Sequence, residues 1–203
     1  VINRGVRKLP IFLRPADYRA FLLVLREGLD RYPIQLLSYC ILSNHWHLVV
    51  GPDTTPSLSR FVKWVAATHA IRWHHRHETI GQGPLYQGRF QALPIDGAAD
   101  LVRVCRYVER NGLAAGLVQR AQDWPWCSLS QRLRVDDVGV PLVTTPFLAS
   151  TAWCDHVNAP ATAHDLVEEQ RWKLKIKPGP TSGTLGPETV EKSPVPLRDA
   201  PPT

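Results

Sequence analysis

Apolar residues recur along this chain in two rhythms, which divide it into elements. After Arg14-Pro15-Ala16-Asp17, with Asp17 suited to the N-cap of a helix, Tyr18, Phe21, Leu22, Leu25 and Leu29 return at helical spacing as a core-facing stripe. Gly28 and Tyr32-Pro33 are its stop signals. Ile34 to Leu42 then reads as a strand, Ser43-Asn44 as a tight turn, and His45 to Val50 as a second strand stopped by Gly51-Pro52, so the pair predicts a β-hairpin. Ser57 to His77 is the longest helical segment. Phe61, Trp64, Val65, Thr68 and Ile71 mark its buried face, with Arg60, Lys63, Arg72 and Arg76 outside. Leu85 to Ile95 reads as another strand, carrying Gln87, Arg89 and Gln91 on one face. A last helix starts at Asp96 or Gly97 and runs to about Asn111, with Gly112 suited to C′. Val1 to Gly5 reads as the end of an opening strand whose beginning is missing.

The order β, α, β, β, α, β, α is that of a split-βαβ, ferredoxin-like α+β fold, an antiparallel sheet with helices on one face. In that layout the first and third strands are central neighbours, so the strand from His45 sits on a rigid element. Residues 1–130 make up this domain. Asp123-Trp124-Pro125-Trp126-Cys127-Ser128 is aromatic-rich and is expected to pack back on the core. Residues 131–176 are expected as a mostly helical appendage, with Ala161 to Lys175 helical and Leu166 and Val167 inward. Pro and Gly dominate 177–203, which reads as a disordered tail.

Bulk properties narrow the classes. A length of 203 residues and a hydrophobic content of 44% suit one domain with an appendage. No apolar run approaches the roughly 20 residues that span a bilayer, and no secretory signal is visible. Cys40, Cys105, Cys127 and Cys154 lie far apart without a CxxC pair. They fit neither a zinc ribbon nor a disulfide framework and read as reduced thiols of a cytoplasmic protein. A net charge of +6 and a pI near 9.4 favour a polyanionic partner. The chain has no Met and opens at Val1, which points to a shortened start or a non-ATG start codon.

Two stretches carry candidate chemistry. On the strand, His45 and His47 flank Trp46 and point to the same face. Two imidazoles so placed can share a divalent metal, although paired strand histidines more often only make hydrogen bonds. On the last helix, Leu101, Val104, Cys105 and Val108 form an apolar stripe and Arg103, Arg106 and Arg110 a basic one. Tyr107 and Asn111, four apart, emerge between them. Each alone is an ordinary boundary residue. Together they suggest more: a phenol can attack phosphorus, a Lewis acid can polarise the phosphate, and arginines can attract the backbone. Mg²⁺ or Mn²⁺ wants oxygen ligands beside imidazole, and Asn111 could supply one. His74, His75 and His77 lack the i, i+4 pairing of a helical metal site and read as surface residues that could touch phosphate. Gly81-Gln82-Gly83-Pro84 lacks the Lys-Ser/Thr ending of a P-loop and has no nucleotide role.

A set of stretches in order completes the picture: Asn3-Arg4-Gly5; Ile11-Phe12 with Asp17-Tyr18-Arg19 and Phe21-Leu22; Tyr39 to Val50; Tyr86-Gln87-Gly88-Arg89-Phe90; Arg106-Tyr107 with Asn111; Ala115-Gly116-Leu117-Val118; and Asp123 to Ser128. This set resembles the single-tyrosine HUH transposases, most closely the REP-associated tyrosine transposases, over about residues 1 to 130. The resemblance implies cleavage and rejoining of single-stranded DNA beside hairpins of palindromic repeats. It implies Tyr107 as nucleophile, His45, His47 and Asn111 as ligands of Mg²⁺ or Mn²⁺, and a 5′-phosphotyrosine with a free 3′-hydroxyl. Arg4, Gln87, Arg89, Arg103, Arg106 and Arg110 are then the candidate DNA contacts. The partner is single-stranded or hairpin DNA, not a membrane or a further small cofactor, and monomer and homodimer both stay open. The chain departs from the family in its short first strand and in its loosely matching end. It also departs at Asn111-Gly112-Leu113-Ala114-Ala115-Gly116, where the family has Asn-Pro-Val-Arg-Ala-Gly. The lost Pro and Arg are expected to loosen the helix end or remove a DNA contact. The alternatives are a domesticated, non-catalytic DNA-binding protein, against which the retained site residues argue, and a nucleotide hydrolase, which would want a histidine where Val49 stands.

Overall fold

The computed structural model describes residues 1–52, 54–134 and 139–175; the expected tail at 177–203 lies outside them. Its elements are β1 (Ile2–Arg4), α1 (Pro15–Arg31), β2 (Ile34–Leu42), β3 (His45–Pro52), α2 (Thr55–Arg76), α3 (Ala98–Ala114), α4 (Ser128–Leu133), α5 (Thr151–Asn158) and α6 (Ala163–Lys175), with short 3₁₀ turns at Val6–Lys8 and Ala121–Asp123. The sheet is antiparallel in the order β1-β3-β2. The strand bearing both histidines is therefore the central one.

Because side chains alternate along a strand, the sheet has two differently covered faces. Tyr39, Ile41, Trp46 and Leu48 turn to one, where Phe21, Leu22 and Leu25 of α1 and Phe61, Val62 and Val65 of α2 bury them. Cys40, Leu42 and Val49 turn to the other, against Cys105 and Val108 of α3 and Trp153 and Val157 of α5. The α+β class and antiparallel sheet are as the sequence indicates, but the helices divide between the faces rather than sharing one. The reason lies in composition: β2 and β3 are apolar on both sides, which calls for cover on both.

The segment 85–95 is not a regular strand. It lies beside β1 and meets it at two isolated pairings, Ile2 with Gln91 and Gly5 with Tyr86. Between them β1 advances three residues and the segment five, so the ladder breaks at a bulge where Gly88 takes a left-handed φ of 71°. Gln87 and Arg89 are exposed on this bulge and share no strand face. The far edge of β2 is covered by the aromatic stretch: the Ile41 N–H donates to the Trp126 carbonyl at 2.9 Å, and Trp124 Nε1 donates to the Ile41 carbonyl at 2.9 Å.

Three local readings change. Asp17 caps α1 from its third residue rather than as N-cap; its Oδ2 accepts the N–H groups of Leu13 and Arg14 at 3.0 Å each. Gly28 and Gly112 end no helix. Each lies inside one at a close contact, where a Cβ would come within 2.8 Å of Val65 Cγ2 and 2.7 Å of the Trp124 ring respectively. Gly116 closes α3 instead, at φ 69°, with the Leu117 N–H on the Gly112 carbonyl and its own on that of Leu113, a Schellman arrangement. On α2 the buried line is Phe61, Val62, Val65 and His69, while Ile71 is 69% exposed.

Candidate active site

β3 sends His45 and His47 to the α3 face and Trp46 to the opposite core. The two imidazoles stand edge to face with centroids 4.9 Å apart. His47 is buried and His45 half-buried. From behind, Trp46 Nε1 donates to the Tyr86 hydroxyl at 3.0 Å, and that hydroxyl bonds His69 Nδ1 at 2.6 Å. This chain ties β3 to α2 and to the bulged segment, so the strand between the histidines cannot shift freely. Burial, with the charge of Arg4, pushes the His45 imidazolium down to about 4. His45 is therefore neutral at physiological pH, the form a metal ligand requires.

α3 crosses this face and sets the Tyr107 ring perpendicular to that of His47, 5.7 Å between centroids. One turn on, Asn111 Nδ2 donates to the Tyr107 carbonyl at 2.6 Å, which fixes the amide with Oδ1 as its remaining ligating atom. The Gly112–Trp124 contact and the Schellman end hold this last turn. The helix runs through Gly112-Leu113 to Ala114. Burial, and then the nearby carboxylate of Glu169, push the Tyr107 hydroxyl above its ordinary value, while Arg4 and a hydrogen bond with the Asn111 side chain act the other way.

Arg4 is paired across the sheet with His45, so one cation bears on both the imidazole and the phenol. The basic stripe of α3 behaves differently. Arg103 pairs with Asp100 at 2.7 Å. Arg106 is buried; its guanidinium donates to the carbonyls of His156 at 2.8 Å and Ala159 at 2.7 Å and to Asp165 Oδ2 at 2.9 Å. Arg110 donates to the Val157 carbonyl at 3.1 Å. The last two clasp the end of α5 and the start of α6; Arg106 is buried in doing so, while Arg110 stays partly exposed. The histidines at the C-terminal end of α2 are also engaged locally: His74 with Thr79 at 2.7 Å and His77 with Asp17 at 3.0 Å.

α6 lies over the site. Its inward line is Asp165, Glu168, Glu169 and Trp172, which with Arg103, Arg106 and Tyr107 encloses a small pocket. The Trp172 and Tyr107 rings are 5.8 Å apart. Leu166 and Val167, expected inward, are 51% and 63% exposed, because the clasp on Asp165 sets the helix phase. Sequence reasoning missed Glu169, Trp172, Asn44 and Glu109. Glu109, on α3, is fully buried and accepts from Ser38, Ser128, Arg132 and Trp153 Nε1.

Two imidazoles and an amide oxygen are donor types that suit Mg²⁺ or Mn²⁺ alongside substrate oxygens and water. Among the described residues no group of three or more His, Cys, Asp or Glu side chains is placed to hold a metal. All four cysteines are free thiols, and no helix among the described residues is long and apolar enough to cross a membrane.

Residues 10–111 match the sequence model of a family described as "Transposase IS200 like". The match takes in His45, His47 and Tyr107 and ends on Asn111. The fold is similar to a solved structure of a REP-associated tyrosine transposase bound to a REP hairpin, at a TM-score of 0.54 and 15% identity, over 70% of this chain and 90% of that one. At that identity the likeness speaks for the fold. No curated protein matches the sequence.

Proposed function

The chain belongs to the IS200-like transposase family, and from that premise we propose that it cleaves and rejoins single-stranded DNA next to hairpins of repeated palindromic sequence, with Tyr107 as nucleophile. The observation that carries this reading is the placement of the Tyr107 ring against His47 by a helix laid across the histidine face. Sixty residues of chain separate the two, and ordinary core packing does not call for a phenol there.

In the proposed reaction Tyr107 Oη attacks the scissile phosphorus. The Oη–P bond forms and the P–O3′ bond breaks; the phenol gives up its proton and the departing 3′ oxygen gains one. The products are a 5′-phosphotyrosine and a free 3′-hydroxyl. A different 3′-hydroxyl can reverse the step, so the phosphoester energy is kept and no external source is needed. When bound, a Mg²⁺ or Mn²⁺ ion supplies Lewis-acid polarisation of the phosphate; His45, His47 and Asn111 are the residues that would hold it. Arg4, beside both His45 and Tyr107, favours the phenolate and the approaching phosphate. Gln87 and Arg89, exposed on the bulge next to β1, are the proposed outer contacts to the strand.

The test is incubation with labelled palindromic hairpins bearing single-stranded flanks, in Mg²⁺ or Mn²⁺, followed by a denaturing gel. A metal-dependent covalent band that Tyr107→Phe abolishes, with native-gel binding retained, is expected. Cleavage by Tyr107→Phe at the wild-type rate would overturn the assignment. Binding without any adduct in the wild type would favour the non-catalytic alternative.

A further inference from the structure

We propose that Asn44 is a positioning residue for His45: it fixes which ring nitrogen His45 presents to the metal site, and it ties that choice to the backbone of the loop after β1. The inference rests on the metal-ligand role given to His45 above.

The turn Ser43-Asn44 between β2 and β3 is held from outside the hairpin. The Ser43 carbonyl accepts the N–H groups of Ile11 and Phe12 at 2.8 and 2.9 Å, and the Asn44 carbonyl accepts that of Gly5 at 2.8 Å. Gly5 is needed for this approach, since a Cβ there would lie 2.7 Å from the Leu9 carbonyl oxygen and 2.8 Å from Ile11 Cγ2. The next residues, Arg7 and Lys8, take left-handed φ values of 52° and 60°. This unusual pair folds the loop back on the turn, and Asn44 Nδ2 donates to the Lys8 carbonyl at 2.8 Å.

The chemistry then leaves one arrangement. A backbone carbonyl only accepts, so the end of the Asn44 amide facing Lys8 is its NH₂. The other end is therefore Oδ1, and it lies 2.6 Å from His45 Nδ1. An amide oxygen only accepts, so Nδ1 carries the proton. In a neutral imidazole the lone pair is then on Nε2. An amide side chain within the turn thus performs what a carboxylate or carbonyl does behind many ligating histidines: it sets tautomer and ring angle and raises the basicity of the ligating nitrogen. Arg4, which faces His45 from β1, carries no acceptor and cannot do this.

The direct test is a two-bond ¹H–¹⁵N correlation spectrum of the His45 ring in the metal-free protein at neutral pH, joined to calorimetric titration with Mn²⁺ alone. The wild type is expected to show the Nδ1–H tautomer. Asn44→Ala should move His45 toward the Nε2–H form and weaken Mn²⁺ binding by about tenfold or more. Asn44→Asp keeps an acceptor facing Nδ1 but loses the donor to Lys8; it should retain the wild-type tautomer. An Nε2–H tautomer in the wild type overturns the proposal whatever the variants do. So does Asn44→Ala that keeps both tautomer and affinity. A correct tautomer and Mn²⁺ response in a protein that forms no DNA adduct would support this inference while removing the strand-transfer reading.

Discussion

At the residue scale, the site consists of common side chains altered by their neighbours. Tyr107 is raised by burial and by Glu169, and Arg4 opposes both. Glu169→Gln is therefore expected to lower the Tyr107 pKa, and Arg4→Ala to raise it. Phenolate absorbance titrations, each differenced against the matching Tyr107→Phe protein, read this directly; shifts of the opposite sign would remove Glu169 and Arg4 from the site. His45, held down to about 4, and His69, held down to about 3 chiefly by burial, give a second prediction. Both folded-state values lie below the 6.5 of a free imidazole, so the unfolded chain binds protons first as pH falls. Their stabilising contribution is full above about pH 6.5 and is lost progressively as pH falls toward about 4 and 3. Urea midpoints measured between pH 7.5 and 4.5 should fall steadily; a flat or rising profile would contradict the burial of these neutral rings.

The pairing of His45 with His47 and of Tyr107 with Asn111 was legible because strand alternation and helical periodicity put each pair on one face. Asn44 was not. Asn is at home in any tight turn, and nothing local says that its amide reaches both a ring nitrogen and a carbonyl from a loop 36 positions away. Glu109 was hidden for a related reason: an acid between Val108 and Arg110 in a helix reads as surface, and only the fold brings Ser38, Arg132 and Trp153 to it.

At the element scale, glycines were the main source of misreading. Gly28 and Gly112 look like helix stops, yet each admits a neighbouring element at contact distance. Gly112→Val should push α3 off Trp124 and destabilise the protein by about 1–3 kcal/mol, as overpacking does. A melting temperature equal to that of the wild type would contradict the close contact. The α2 stripe was misphased because its buried line includes a histidine, which hydropathy counts as polar although Tyr86 satisfies it. The segment 85–95 alternates like a strand, but Gly88 and the unequal count against β1 break the ladder. Arg106 belongs here too. Losing its bonds to the His156 and Ala159 carbonyls and to Asp165 should cost about 2–3 kcal/mol and free the start of α6. Arg106→Lys should not restore it, since a single ammonium cannot replace the fork.

At the scale of the whole molecule, a sheet covered on both faces separates two tasks. The α1–α2 side is a sealed aromatic core that anchors Trp46, and the α3 side holds the candidate site and is roofed by α5 and α6. The net charge of +6 is consistent with a nucleic-acid partner, but the arginines are unequal. For each lost phosphate contact the salt dependence of single-strand binding should flatten by about 0.7 in log–log slope. Arg89→Ala is expected to show that change and Arg110→Ala none, since Arg110 is turned to the Val157 carbonyl. The reverse pattern would return the α3 stripe to the DNA interface. The hairpin, the central strand and the last helix could be read from periodicity. The division of the helices between two faces and the roof of α6 could not, because both depend on contacts between residues far apart in the chain.

The central claim is that Tyr107 becomes joined to DNA. The most direct measurement is mass spectrometry of the protein after reaction with a hairpin substrate, nuclease trimming and tryptic digestion. The account predicts a nucleotide mass on the peptide containing Tyr107, attached through a 5′ phosphate to its phenolic oxygen and absent when the divalent metal is chelated. An adduct on another residue, such as Tyr86, or cleaved DNA with no adduct on the protein, would contradict it.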